Sequence, residues 1–478
     1  MLLMILKICR KAGGKKTVAI AKEKWVNNLN RYNMNVLNKS IIGSLLFGCG
    51  VAQSAEKPQT GKPNVLIIYT DDQGAIDLNC FGAKDLVTPN MDRLVKSGIQ
   101  FTQFYGAPIS SPSRAGLLTG KTPQRAGVPG NVSSLNPQAG MPSEQYTIAE
   151  MFRDAGYKTA LFGKWHLGKG KDKQPNSQGF DYSFGHFVGC IDNFSHFYYW
   201  EGPNRHDLYR NGEEVFYPGH YFPDLIVDEA SVYLEQNKNH PFFIYFAFNT
   251  PHYPYQGTPE WLKYYQDKGV AYPRDLYAAF VSTMDDKIGE ILQKLEELGL
   301  RENTIVVFQA DNGYSTEERA HYGGGSAGIL RGSKFSLFEG GIRVPAAISW
   351  PAKIKAGQVR GQVSVNADWM PTLAELCGIK LNTRDLDGKS LVPVIHDKNS
   401  RSLHESGFCW QSGNQWAARK GDWKLLVNAI SGEKGMPADT VFLVNLKEDQ
   451  GERTNLVSRY PEKVKELRSQ HNLWLQRQ

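Results

Sequence analysis

Cysteine is scarce in this chain, with six residues in 478. Cys9 and Cys49 lie near the start, and Cys80, Cys190, Cys377 and Cys409 are scattered over the rest. That spacing excludes a disulfide-rich framework and a cysteine metal cluster. It leaves room for one structural disulfide, with buried free thiols as the default. Charge of one sign is also missing from most of the molecule. Residues 1–33 contain Lys7, Arg10, Lys11, Lys15, Lys16, Lys22, Lys24 and Arg31 against Glu23 alone, so they hold the whole formal excess of +7. The remainder is formally neutral and carries no electrostatic footprint for nucleic acid. There is no internal repeat and no low-complexity tract. With 41% hydrophobic and 22% charged residues, the composition excludes a disordered chain, a collagen and a coiled coil. The apolar stretch Ile41–Phe47, interrupted by Gly43 and Ser44, is too short to span a bilayer.

That stretch follows Lys39 and precedes the small residues Gly48-Cys49-Gly50-Val51-Ala52-Gln53-Ser54-Ala55, the layout of a secretory signal peptide. The basic segment before Met34 is longer than the usual start of such a leader. Residues 1–33 therefore read as an extension of the gene model, with Met34 as the true start; the plain alternative is a disordered basic leader. Cleavage after Ser54 or Ala55 would release a periplasmic or secreted protein with no transmembrane segment. Leu46-Phe47-Gly48-Cys49 also resembles a lipobox, which would place a lipid anchor on Cys49. On either reading residues 1–55 are leader and the protein is exported.

From residue 63 the pattern is alternating strand and helix. Val65–Tyr69, Thr159–Phe162, Phe242–Phe248 and Ile305–Phe308 are continuous apolar runs, as in strands of a parallel sheet buried on both faces. Helical periodicity fills Thr88–Gly98 and Tyr277–Leu298. Each apolar run ends in polar residues: Asp71-Asp72, Lys164-Trp165-His166, Asn249-Thr250-Pro251-His252 and Asp311-Asn312. Open α/β sheets bind ligands beyond the carboxyl ends of their strands, so four such ends make a convergent site. Asp71, Asp72, Asp311 and Asn312 offer only oxygen donors, which select a hard cation, Ca²⁺ or alternatively Mg²⁺. Crowded carboxylates need such a cation to stay ionised together. The competing explanation, that each Asp pair caps a helix, serves one pair better than both.

Ser110-Ser111-Pro112-Ser113-Arg114-Ala115-Gly116-Leu117-Leu118-Thr119-Gly120 is the most informative segment. Ser111 as N-cap followed by Pro112 predicts a helix start, which puts the Ser110 hydroxyl where backbone N–H groups favour an anion. Arg114 lies one turn further in. Taken alone, this is an oxyanion-binding helix start or merely a capped helix under a surface loop.

The segment also matches the signature Cys or Ser–X–Pro–Ser–Arg, with Leu118 and Gly120 at its far end. Pro63-Asn64-Val65-Leu66 with Asp71-Asp72, Thr88–Leu94, Gly163-Lys164-Trp165-His166-Leu167-Gly168, Ala310–Gly313, Arg331-Gly332-Ser333-Lys334, Glu339–Pro345 and Asp368–Thr372 extend the match. In these motifs residues 63–478 resemble type I, formylglycine-dependent sulfatases of the alkaline phosphatase superfamily, with a serine-type, bacterial signature. The resemblance implies an α/β fold: a large, mostly parallel mixed sheet between helices, with a smaller antiparallel C-terminal subdomain. It implies that a maturation enzyme oxidises Ser110 to formylglycine (3-oxoalanine). Asp71, Asp72, Ser110, Asp311 and Asn312 would hold Ca²⁺. Arg114 and Lys164 would stabilise the hydrated aldehyde and His166 would assist its proton transfer. Lys334 and His252 would contact sulfate, one or the other protonating the leaving alcohol.

The aromatic cluster Phe194–Trp200 precedes Gly202-Pro203-Asn204-Arg205. It reads equally as a sugar platform and as a small satellite core. His196, Asn193 and Arg205 are the candidate hydroxyl readers. A sulfated glycan is the expected partner, with galactose- or N-acetylgalactosamine-type sugars the narrower guess. A phosphodiester or phosphonate hydrolase of the same superfamily is the alternative, and a non-catalytic glycan-binding relic a more distant one. The expected domains are 60–385, carrying the site, and 386–478.

Overall fold

The apolar runs form the centre of one sheet. The computed structural model describes residues 61–200, 202–432 and 439–478; the leader reading over 1–55, with Met34 and Cys49, lies outside the described residues. In chain order the large sheet uses β1 (Asn64–Thr70), β2 (Ile99–Phe101), β3 (Lys158–Lys164), β4 (Tyr182–His186), β5 (Tyr209–Arg210), β6 (Glu213–Glu214), β7 (Phe242–Ala247), β8 (Thr304–Ala310), β9 (Ala346–Ser349) and β10 (Gln358–Arg360). Across the sheet they run β10-β2-β9-β8-β1-β7-β3-β4-β5-β6. The five central strands, β8, β1, β7, β3 and β4, are mutually parallel. Antiparallel pairings flank them, β9 with β8 and β5 with β4. The parallel register carries Asp71, His252, Asp311 and Lys164 to the same rim.

Side chains of the central strands alternate between two apolar layers, as the pleat requires. Leu66, Ile68, Phe162, Ile244 and Phe308 face one layer. There they meet α1 (Pro89–Lys96), α4 (Phe222–Asn237) and α5 (Arg274–Glu297). Val65, Ile67, Leu161, Phe243 and Ile305 face the other. That layer is closed by α2 (Ser110–Thr119), α3 (Ile148–Asp154) and α6 (Trp369–Leu376).

A separate antiparallel sheet of four strands follows: β11 (Phe408–Ser412), β12 (Gln415–Lys420), β13 (Trp423–Val427) and β14 (Val441–Asn445), with α7 (Pro461–Leu475) after it. Its Trp410, Ala417, Leu426 and Phe442 share a core with Tyr105, Leu337, Phe338 and Ile342, and residues 59–478 form one compact unit. Cys80, Cys190, Cys377 and Cys409 are free thiols, with Cys190 and Cys409 buried as the default reading has it and Cys80 and Cys377 only half-buried. Among the described residues no helix is long and apolar enough to cross a membrane.

Candidate active site

Asp71 and Asp72 follow β1, Asp311 and Asn312 follow β8, and these strands pair side by side. The Asp71 N–H donates to the Thr250 carbonyl at 3.0 Å, and the Asp311 N–H to the Thr70 carbonyl at 3.0 Å. Adjacent strand ends are thereby pinned together. Asp72 then turns through a left-handed φ of 58°, a conformation that Asp tolerates better than most residues. Its N–H donates to Asp311 Oδ1 at 3.0 Å. The carboxylates of Asp71, Asp72 and Asp311 all lie within 4.8 Å of one another and are buried.

α2 brings Ser110 to this cluster. The helix begins at Ser110 with Ile109 as N-cap, so the expected cap at Ser111 is corrected. The Ser111 hydroxyl is occupied elsewhere: it donates to the His166 carbonyl at 2.8 Å and accepts from the Val132 N–H at 3.0 Å. Ser113 donates to the Asp311 carbonyl at 2.6 Å. All ten residues of α2 are buried, and it ends at Gly120 with φ 66°, a left-handed cap that favours glycine. The signature is therefore largely a docking device that fixes Ser110. Ser110 Oγ donates to Asp71 Oδ1 at 2.8 Å and meets Asp311 Oδ2.

Three cations surround the acids. Lys164 Nζ is 2.5 Å from Asp71 Oδ2 and 3.3 Å from Ser110 Oγ. Arg114 Nη2 lies 3.3 Å from Asp311 and 3.5 Å from Asp71, its guanidinium propped by Tyr245 Oη at 3.3 Å and by the Tyr69 ring. Lys334 Nζ is 2.8 Å from Asp72 Oδ2. The sequence pattern did not reveal Tyr69 and Tyr245, because inside an apolar strand a tyrosine looks like any other core residue.

Burial would raise the Asp71 carboxyl, but the charges of Lys164 and Arg114 outweigh it and hold it well below the usual carboxylate range. Asp311 is pushed up to about 7 by burial and then by Asp71. Burial and neighbouring cations drive His166 and His252 well below the ordinary imidazole value, which keeps both rings neutral. His252 Nε2 lies 3.6 Å from Asp72, and its Nδ1 bonds the Tyr253 carbonyl at 2.7 Å. His166 lies just beyond β3, with a left-handed φ of 55°. Its ring is cradled at Gly189, where an added Cβ would sit 3.0 Å away, and Nδ1 has no partner.

Asn312 tests the donor set for a cation. Its amide nitrogen donates to Asp72 Oδ1 at 2.7 Å, while its buried Oδ1 has no partner. A buried acceptor left open beside three carboxylates fits a hard cation bound through oxygen.

The candidate sugar readers fare differently. His196 and Asn193 are fully buried. His196 Nε2 bonds the His220 carbonyl, and Asn193 pairs with Gln256 and Asn249. Both tie loops together, while His196 Nδ1 has no partner; the burial of a polar side chain in a long loop left no mark in the local sequence. Arg205 lies over the Tyr198 ring at 4.7 Å and donates to the Ser134 carbonyl. The aromatic cluster divides. Tyr198 is buried, whereas Phe194, Phe197 and Tyr199 are exposed.

The Sulfatase family model matches residues 63–379. This chain belongs to the sulfatase family. The sulfatase is 32% identical over 462 residues to arylsulfatase A of Homo sapiens, covering 87% of this chain and 86% of that one. It is 34% identical over 390 residues to N-acetylgalactosamine-6-sulfatase of Homo sapiens, covering 76% and 71%. The crystal structure of Ps i-CgsB in complex with k-i-k-neocarrahexaose superposes with a TM-score of 0.77 at 29% identity, covering 86% of this chain and 92% of that one. The sulfatase has the alkaline phosphatase-like architecture of these relatives and is a sulfuric ester hydrolase.

Proposed function

We propose that this sulfatase hydrolyses sulfate monoesters on a sugar, through formylglycine made from Ser110 by a maturation enzyme and with a bound Ca²⁺ ion. The observation that carries the reading is the Ser110 oxygen, bonded to Asp71 and Asp311 with Lys164 and Arg114 alongside. Asp71, Asp72, Asp311, Asn312 Oδ1 and the converted Ser110 would hold the cation, with Mg²⁺ as the alternative. Bound there, the cation supplies the charge that lets an anionic ester meet an anionic nucleophile. Arg114, Lys164 and Lys334 already balance the three carboxylates, so a divalent ion leaves the pocket two charges positive, which suits a sulfate ester. Formylglycine at position 110, when hydrated, would supply a second hydroxyl beside the nucleophilic one, which serine lacks.

This chain's own residues divide the remaining work. Arg114 and Lys164 would stabilise the developing oxyanion. His166, neutral in its buried setting, would take the proton of the second hydroxyl. Lys334 and His252 would face the ester, one of them passing a proton to the leaving alcohol. The sugar is supported by the exposed aromatics, by the N-acetylgalactosamine-6-sulfatase relative and by the neocarrahexaose complex. Exo action on galactose- or N-acetylgalactosamine-type residues is the narrower proposal. Export to the periplasm or medium, or anchoring at Cys49, rests on the leader.

The test co-expresses the chain with a maturation enzyme and measures sulfate release from a panel of sulfated mono- and disaccharides, with phosphate esters in parallel. Sulfate release, with the Ser110 peptide lighter by two hydrogens, is expected, and Ser110→Ala should lose at least about a thousandfold in kcat. An active enzyme with intact Ser110, or faster turnover of the phosphate esters, overturns the reading.

A further inference from the structure

Outward from the reacting centre the wall of the site changes character in steps. His252 and Tyr253 are 5% and 6% exposed, with rings 4.0 Å apart. Lys334 Nζ lies 5.4 Å from the Tyr253 ring centre. Tyr253 meets Trp200 at 5.7 Å, Trp200 stacks on Tyr199 at 4.2 Å, and Tyr199 is 44% exposed. Exposure thus rises along a continuous aromatic series that starts at the sulfate-facing lysine, as it would along the wall of an entrance.

Arg319 lies over the Trp200 ring at 5.5 Å. It is exposed, and among the described residues it forms no ion pair. The turn that presents it is anchored. Ala320 is fully buried and its N–H donates to the Glu317 carbonyl at 2.9 Å. The Glu317 carboxylate is held by Tyr253 Oη at 3.0 Å, Ser315 Oγ at 3.1 Å and Lys334 Nζ at 3.4 Å. Glu317 is therefore committed to the inner site and does not neutralise Arg319. Trp200 and Tyr253 link the guanidinium of Arg319 to Lys334, through contacts of 5.5, 5.7 and 5.4 Å. A guanidinium resting on an indole loses less freedom when it binds an anion, and its planar fork matches a carboxylate or sulfate.

We infer that Arg319, seated on Trp200, forms a subsite for a second anionic substituent, a carboxylate or a further sulfate, on the saccharide whose ester occupies the pocket. The inference rests on the proposed glycan sulfatase reading and narrows its substrate to doubly anionic saccharides.

The experiment takes the monosulfated saccharide that the matured enzyme turns over best and two analogues, one with an added sulfate and one with an adjoining uronate. kcat and KM are measured for wild type, Arg319→Ala and Arg319→Lys, with 4-nitrophenyl sulfate as a substrate lacking any second anion. Wild type should prefer at least one doubly anionic analogue. In Arg319→Ala that preference should fall about 10- to 100-fold, through KM, with partial recovery in Arg319→Lys and a much smaller change on 4-nitrophenyl sulfate. The favoured analogue identifies sulfate or carboxylate as the ligand. Absence of a preference in wild type, or an equal loss on all substrates in Arg319→Ala, overturns the inference and leaves the sulfatase reading intact. Sulfate release from 4-nitrophenyl sulfate but from no saccharide overturns the glycan reading instead.

Discussion

Asn312 divides its amide between two tasks: its nitrogen donates to Asp72 and its oxygen remains open beside the acids. Asn312→Ala should therefore weaken calcium binding by about 10- to 100-fold, read as a reduced Ca²⁺-dependent rise in melting temperature; an unchanged rise would remove Asn312 from the donor set. Asp311 makes the pH behaviour predictable. Its folded value is about 7 against an ordinary 3.8. Between those values the folded chain keeps a proton that the unfolded chain has released, so metal-free stability falls as pH rises across that window. A bound cation needs the deprotonated carboxylate, so calcium should stabilise more at about pH 7.5 than at about pH 5. Denaturant titrations with EDTA and with Ca²⁺ check the sign, and a larger calcium effect at the lower pH contradicts it.

At the scale of elements, the family motifs far from the chemistry act as struts. Glu339 starts a short helix behind the site, and Lys424 lies on β13. Lys424 Nζ sits 2.9 Å from Glu339 and 3.0 Å from Glu452, all buried, with Tyr105 Oη donating to Glu339 at 2.7 Å. Burial would raise Glu339, but Lys424, then Arg419 and Arg343, hold it down to about 2. Its contribution is present above about pH 4.5 and is lost as pH falls toward 2. Lys424→Met leaves two carboxylates without their shared cation and should cost about 3–5 kcal/mol, measured by denaturant titration at neutral pH. A loss below about 1 kcal/mol would show the strut to be dispensable. Asp368 is a second case: it accepts from the Val365 N–H and pairs with His404 at 3.0 Å. Ser111 shows why such roles escape a linear reading. Ser-Pro at a helix start has the form of a cap, yet the loop ends at His166 and Val132 claim the hydroxyl, and the helix starts two residues earlier.

At the scale of the whole molecule, the four-stranded sheet and the large sheet share buried side chains. Trp410 Nε1 donates to the Gly106 carbonyl at 3.2 Å and Gln415 to the Phe335 carbonyl at 2.7 Å; Gly106 and Phe335 flank Ser110 and Lys334 in the chain. The segment expected as a separate domain from 386 onward therefore supports the site directly. Residues 59–478 should unfold in one cooperative transition, followed by circular dichroism and tryptophan fluorescence together. A chain ended at 385 should be insoluble, because Tyr105, Leu337, Phe338 and Ile342 lose their cover. Two separated transitions, or a soluble and folded 385-residue chain, would contradict this.

The apolar runs and their polar ends were legible in the sequence, because a strand buried on both faces demands residue types that few other contexts tolerate, and the Ser110–Gly120 segment was legible through its match to the sulfatase signature. Those local demands marked the central strands and the acidic cluster; the roles of Arg114, Lys164 and Lys334 came from the resemblance to sulfatases. Tertiary structure alone decided the rest. His196 and Asn193 turned inward because nearby loops offered them hydrogen-bond partners. His166 came to lie just beyond β3, in the left-handed region. Tyr253 and Glu317 joined the site because separate loops met at Lys334. Burial and partnership depend on what the fold brings from far along the chain, and local residue preference holds no record of that.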